Sequence, residues 1–137
     1  MSYYEPSSLI IVHCNLGLPD HQGMGIILQD DGVGFDGRDV MQCRLKHCIS
    51  FAALKHKLLR MVQPENDEHE IIRIVYRKPE LTDGGVYWST MDVKCEDDVR
   101  DMMYIHDTFK WKGYIHLYVE SRRTIAEVLR RLTPPAQ

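Results

Sequence analysis

The sequence predicts an α+β domain in which helices cover one face of a mixed sheet. Three observations carry that expectation. Hydrophobic residues alternate in some segments and recur at helical spacing in others, in the order β, β, α, β, β, α, β and then a final helix. Helical segments open on capping or acidic residues (Ser50, Glu96, Thr124), and prolines stop the first and last of them (Pro64, Pro134). The chain has 137 residues, of which 44% are hydrophobic and 27% charged. That composition excludes a wholly disordered polypeptide. A chain of this length buries enough surface to fold without a metal or a disulfide.

Residues 1–8 are polar and read as a flexible N-terminus. Leu9–Cys14 is a β-branched run and reads as a buried strand. Residues 15–39 are rich in Gly and Asp; within them Met24–Gln29 reads as a second strand, and the segment from Asp30 to Gly34 as a turn. Val40–Leu45 alternates and reads as a further strand. Ser50 then caps a helix whose apolar side is Phe51, Leu54, Leu58 and Met61/Val62.

Ile71–Arg77 reads as a strand ended by Pro79. Its expected faces are Ile72, Ile74 and Tyr76 on one side, and Ile71, Arg73, Val75 and Arg77 on the other. Leu81–Gly85 is turn chemistry, and Val86–Val93 is the returning strand. A second helix starts at the acids Glu96, Asp97 and Asp98, which suit its positive end, and turns Val99, Met102, Met103 and His106 inward. Tyr114–Glu120 alternates cleanly, with Ile115, Leu117 and Val119 on one face and Tyr114, His116, Tyr118 and Glu120 on the other. Thr124 and Glu127 form a capping box. The helix they open carries Ile125, Val128, Leu129 and Leu132 on one side, and that stripe is expected to pack on the sheet.

Two hairpins, each followed by a helix, match the order of the ubiquitin-like β-grasp. The expectation is a mixed four- to five-stranded sheet with two helices, spanning residues 9–120. A C-terminal helix and tail occupy 121–137. A right-handed crossover through the first helix would place the first and last strands together in the middle.

Seventeen basic and 20 acidic residues leave a net charge of −3, which disfavours a general nucleic-acid binder. No apolar run approaches the roughly 20 residues of a membrane span. The first residues lack the basic and apolar regions of a signal peptide. The expected setting is nuclear or cytoplasmic, with Cys14, Cys43, Cys48 and Cys95 as reduced thiols.

One stretch is more specific. Tyr76–Pro79, Gly84-Gly85, Val86-Tyr87, Glu96–His106 and Gly113–Glu120 together resemble the Phox-and-Bem-one-like (PB-one-like) domain near the N-terminus of plant Mutator-like transposases. The similarity covers about a third of the chain well, and its most specific part is the ending "DV-x-x-M…H…I-x-L-Y-V-E". The resemblance implies a β-grasp fold and protein–protein interaction in place of catalysis. In the related PB-one domains an acidic turn-and-helix cluster on one copy meets a basic strand lysine on the next. The matching protein-binding residues here are Asp83, Glu96, Asp97, Asp98 and Asp101. The lysine has no counterpart in Leu9–Cys14, where His13 is the one polar side chain, and carboxylates directly beside the Gly84 turn are missing. An acidic-face-only binder fits better than open-ended polymerisation. Such transposases continue into zinc-binding and nuclease segments that these residues do not contain. No activity on DNA, no cofactor and no metal is therefore expected.

Other readings compete. Arg122, Arg123, Arg130 and Arg131 around the last helix form a second interface candidate, a phosphate-contacting or nuclear-import patch. Tyr87, Trp88, Tyr114 and Tyr118 would add a stacking surface for single-stranded nucleic acid. Cys43, His47 and Cys48, with His13 and Cys14, offer zinc-type ligands at a spacing unlike a finger or knuckle. A Cys–His nucleophile would need a thiolate beside a base in a cleft. The early glycines follow neither a phosphate-loop nor a dinucleotide spacing.

Overall fold

The computed structural model describes residues 7–15, 25–109 and 113–133. Strand β1 (Ser7–Cys14) is followed by the short strands β2 (Ile26–Gln29) and β3 (Gly32–Phe35), then β4 (Asp39–Lys46) and helix α1 (Phe51–Val62). The long strand β5 (His69–Thr82) turns into β6 (Gly85–Asp92). Helix α2 (Glu96–Phe109), strand β7 (Ile115–Arg123) and helix α3 (Ile125–Leu132) complete the order. The fold is α+β, with a mixed seven-stranded sheet in the order β2-β3-β6-β5-β7-β1-β4 and three helices. No helix among the described residues is long and apolar enough to cross a membrane.

β1 lies parallel to β7, from Ile10 opposite Ile115 to His13 opposite Tyr118, and antiparallel to β4 on its other side. β5 runs antiparallel to both β7 and β6. The alternation of β1 and β7 then decides the layers. Ile10, Val12 and Cys14 from β1, and Ile115, Leu117 and Val119 from β7, share one face and are buried against α1 and α2. α1 contributes Leu54, Leu58 and Val62; α2 contributes Val99, Met102 and Met103. Ser50 caps α1 as the sequence predicts, its hydroxyl accepting the Ala53 N–H at 3.1 Å.

Several expectations need correction. The sheet has seven strands, not four or five, because the short pair β2 and β3 joins its edge beyond β6. Asp30 and Asp31 do turn the chain, but Gly32–Phe35 pairs back on β2 as a strand. Gly32 holds a φ of +117°, and a Cβ there would strike the backbone of Trp88, its register partner on β6. β1 starts at Ser7, so Ser7 and Ser8, expected in a flexible N-terminus, belong to a strand, and the rest of that expectation lies outside the described residues. β5 continues through Pro79, because beyond Tyr76 its only strand neighbour is β6 and proline is tolerated on such an edge. A register shift between Ile71 and Arg73 changes the face assignment of β5. Ile71 packs toward the core with Ile74 and Tyr76, as the extra residue of a bulge dictates.

The sheet is also covered on more than one face. Phe35 places its ring 5.4 Å from His13 and 5.8 Å from Tyr118, although β3 joins the sheet at Trp88 on β6, three strands from β1. The β2–β3 hairpin therefore leans across the second face. Arg77 Nε donates to the Val33 carbonyl at 2.7 Å, and the Gly25 N–H donates to the Tyr118 hydroxyl at 3.3 Å. Under this cover Val75 and Tyr118 are as buried as residues of the main core.

Leu117 lies on β7, between β5 and β1, and is fully buried. Leu117→Ala should cost about 2–5 kcal/mol of unfolding free energy, read from urea denaturation. A loss under about 1 kcal/mol would contradict a tightly packed interface between sheet and helices.

Candidate functional site

The acids at the start of α2 have two kinds of work. Glu96 Oε2 accepts the Phe51 N–H at 2.8 Å, which satisfies a first-turn donor of α1 that has no partner in its own helix. Asp98 Oδ2 accepts the Lys94 N–H at 2.8 Å, closing the turn that enters α2. These two carboxylates tie the helix starts together. Asp97 pairs with Arg100 one turn on, and both are well exposed. Asp101 is also exposed.

Because Val99, Met102 and Met103 face the core, the opposite side of α2 carries Asp97, Arg100, Asp101, Tyr104 and Thr108 in one row. Tyr104 is 75% exposed, a large aromatic ring standing among carboxylates. Sequence reasoning missed it. Its place three residues after Asp101 and four after Arg100, away from the buried methionines, is a helical-spacing signal that could have found it. Asp83 is not part of this cluster. It sits in the turn between β5 and β6, and the length of β6, roughly 25 Å, separates that turn from Glu96.

The arginine-rich end is built differently. β7 runs on to Arg123 beside the start of β5, so α3 begins past the end of the sheet. Arg122 pairs with Glu70 at 2.7 Å and Arg123 with Asp67 at 3.0 Å. Arg130 and Arg131 reach Glu127 at 2.6 and 3.1 Å, and Arg131 also reaches Asp67 at 3.5 Å. The four arginines read as a second interface are thus each engaged by a carboxylate. Half of the predicted capping box forms. The Thr124 hydroxyl accepts the Glu127 N–H at 3.1 Å, while the Thr124 N–H donates to the Glu68 carbonyl. The Glu127 side chain goes to the arginines instead.

Glu127 is the buried residue of α3, and Ile125, Val128, Leu129 and Leu132 are exposed, Ile125 by 77% and Leu132 by 75%. The expectation that this stripe packs on the sheet is overturned. α1 and α2 already fill the core face, and the surface left for α3 is the polar connector carrying Asp67 and Glu68. The charged side of the helix faces inward and the apolar side faces out. Hydrogen bonds from Arg130 pull the Glu127 carboxyl down to about 2. Burial pushes the Asp67 carboxyl up, but hydrogen bonds from Arg123 and His69 outweigh it and leave it below its ordinary value.

The thiol and zinc candidates do not converge. His13 and Cys14 point to opposite faces of β1, Cys14 into the core and His13 under Phe35. His47 bonds Ser8 at 2.6 Å, and Cys48 lies exposed in the following turn. Among the described residues no group of three or more His, Cys, Asp or Glu side chains is placed to hold a metal ion. Burial pushes the Cys14 thiol up to about 11, the reverse of what a nucleophile needs. The aromatic residues do not form one open face either. Tyr118 is buried, and Arg77 covers the Trp88 ring at 4.2 Å. His13 and His116 stack on the second face with Nε2 and Nδ1 3.0 Å apart; burial lowers both, His116 to about 4.

No family model matches the chain, and the searches of curated proteins and of solved structures return no match.

The inward-facing cluster makes the docking of α3 acid-sensitive. Glu127 titrates near 4.5 when free and about 2 when docked. Its contribution is complete above the higher value and is lost as pH falls through the lower one. Amide hydrogen exchange across Ile125–Leu132, corrected for intrinsic rate, should accelerate relative to β7 over that interval. Glu127→Gln should show fast exchange in α3 at neutral pH. A profile in which α3 and β7 stay parallel throughout would contradict this anchoring.

Proposed function

We propose that this chain is a non-catalytic protein–protein interaction module, a PB-one-like β-grasp related to plant Mutator-like transposases, acting in the nucleus or cytoplasm. It binds a basic partner through the outward side of α2. The observation that carries the reading is the exposed row of Asp97, Asp101 and Tyr104, with Arg100 paired to Asp97 among them, on a helix whose other side is anchored in the core. A lysine or arginine of the partner would pair with Asp101 and compete with Arg100 for Asp97, with its cation or stem over the Tyr104 ring. Glu96 and Asp98, although tied to backbone donors, add their charge to the field that steers such a partner. Asp83 contributes only at a distance.

The β-grasp assignment is supported by five strands in the order β4-β1-β7-β5-β6, with the first and last strands side by side and parallel. The β2–β3 hairpin is an addition to that plan. His13, the polar side chain of β1, lies beneath Phe35. β1 therefore offers no basic residue to the acids of another copy, which favours a partner protein over front-to-back chains of this domain. The nucleic-acid reading finds little support, since Arg122, Arg123, Arg130 and Arg131 are held by Glu70, Asp67 and Glu127.

The test is a titration with a short lysine- and arginine-rich peptide at low and moderate salt. Asp97→Lys with Asp101→Lys should weaken binding at least about tenfold, and Tyr104→Ala about three- to tenfold. Asp83→Lys serves as a control remote from α2 and should shift affinity by no more than about twofold. Equal losses for the Asp83 variant and the α2 variants would reduce the effect to net charge and remove this surface from the proposal.

A further inference from the structure

β5 is paired along only part of its length on the side of β6. Their register ends at Val75 opposite Asp92, and one further backbone bond, from the Val93 N–H to the Ile74 carbonyl at 2.9 Å, closes the ladder. The chain then leaves the sheet for α2. At the start of β5 the His69 N–H donates to the Gln63 side chain at 3.0 Å. Between these two points, along Glu70–Arg73, no strand among the described residues lies beside β5 on that side. An open strand edge presents backbone N–H and C=O groups that a further strand would satisfy.

This edge is one wall of a groove, and α1 is the other. Phe51, Lys55 and Leu59 stand one turn apart on α1 and line it. Two cavities of about 220 and 230 Å³ make up the groove, and both are bounded by Lys55 and Ile71. The first has an apolar lining of Phe51, Ile71, Ile72, Ile74 and Val93. From Phe51 to Leu59 the helix rises roughly 12 Å, about the length of four extended residues. The unpaired stretch of β5 has that same length.

Charge indicates what kind of segment fits. Lys55, Arg73 and Lys94 line the first cavity with a single carboxylate, Asp92. Asp92 is held by Arg73 at 2.8 Å and Glu70 by Arg122 at 2.7 Å, while Glu96 accepts the Phe51 N–H. Lys55 and Lys94 are exposed, and no carboxylate among the described residues pairs with either. A second sheet edge does not fit here. α1 stands beside the strand, and the bulge between Ile71 and Arg73 interrupts the flat edge that sheet-to-sheet pairing needs. A single extended segment does fit.

We propose that the groove binds an extended, acidic and apolar segment of another protein, which adds a strand to β5 along Glu70–Arg73. An apolar side chain of the segment fills the cavity between Phe51, Ile71 and Val93. Acidic residues flanking it pair with Lys55 and Lys94. The site takes the opposite charge from the outward side of α2 and does not rest on that reading.

The test is a titration of the full chain with a set of capped peptides of about eight residues, followed by NMR of the backbone amides. Each peptide has a centre of valine, leucine or phenylalanine flanked by aspartate and glutamate. Binding should shift and protect amides within Glu70–Ile74 and leave those of Asp101 and Tyr104 in place. In a bound strand alternate amides face β5. N-methylation of one alternate set should therefore weaken binding at least about tenfold, and of the other set by no more than about twofold. Lys55→Glu with Lys94→Glu should weaken binding at least about tenfold with an unchanged circular dichroism spectrum, since both positions are exposed. Lys78→Glu, on the part of β5 that β6 already covers, should change affinity by no more than about twofold. Failure of the whole set to bind at up to about 1 mM would overturn the proposal. Equal tolerance of the two N-methylated sets would overturn it as well, by showing binding without strand addition. So would affinity that survives the paired lysine reversal, or that falls equally with Lys78→Glu.

Discussion

The parallel contact between β1 and β7 is the constraint on which the rest of this structure depends. It joins the first and last strands inside the sheet, between β4 and β5, with Ile10 beside Ile115 and Val12 beside Leu117. A parallel pair needs a crossover to connect it, and parallel strands are generally buried on their faces. Here α1 and α2 supply the cover on one side, and every hydrophobic stripe that faces them follows from the register of this pair. Shifting it by one residue would turn Ile10, Val12, Ile115 and Leu117 to the opposite face. That face is shaped for His13, His116 and Tyr118 under the β2–β3 hairpin.

The filled core face explains the inversion of α3. An amphipathic helix normally turns its apolar side inward, because burial of apolar area is the larger driving force. That route is closed where α3 begins, since β7 has carried the chain past the helices to the start of β5. What remains there is a polar connector, and the match is electrostatic. Asp67 and Glu127 each accept from more than one basic group, with Glu127 shielded from solvent by Arg130 and Arg131. A buried carboxylate is tolerated only when paired in this way. The apolar stripe is left outward as a consequence.

The acids of α2 illustrate how one cluster divides between structure and recognition. Glu96 and Asp98 fix backbone donors at two helix starts, which is how they hold α2 against α1. Asp97, Asp101 and Tyr104 stand on the outer side of a rigid element, away from the core. A surface of this kind keeps its geometry without a partner, so little ordering is needed when one arrives. The arginines near α3 are the opposite case: numerous in sequence, but committed within the domain.

Much of the fold was legible in the sequence, because alternation and helical spacing are local. Leu9–Cys14, the helix opened by Ser50, Val86–Val93 and Tyr114–Glu120 are legible from their own residues to within a few positions at their ends, as are the cap at Ser50 and the acidic start of α2. The hairpin at Gly32, the passage of β5 through Pro79 and the shifted face at Ile71 were not, since each depends on which strand lies alongside. The same division holds for function. The sequence by itself determined an acidic helix start, an amphipathic last helix and a cluster of arginines. Only the tertiary structure decided that the arginines are neutralised, that Tyr104 stands among the acids, and that the apolar side of α3 faces solvent. The physical reason is that amphipathicity states which residues share a side, while the neighbours brought by distant strands determine which side is buried.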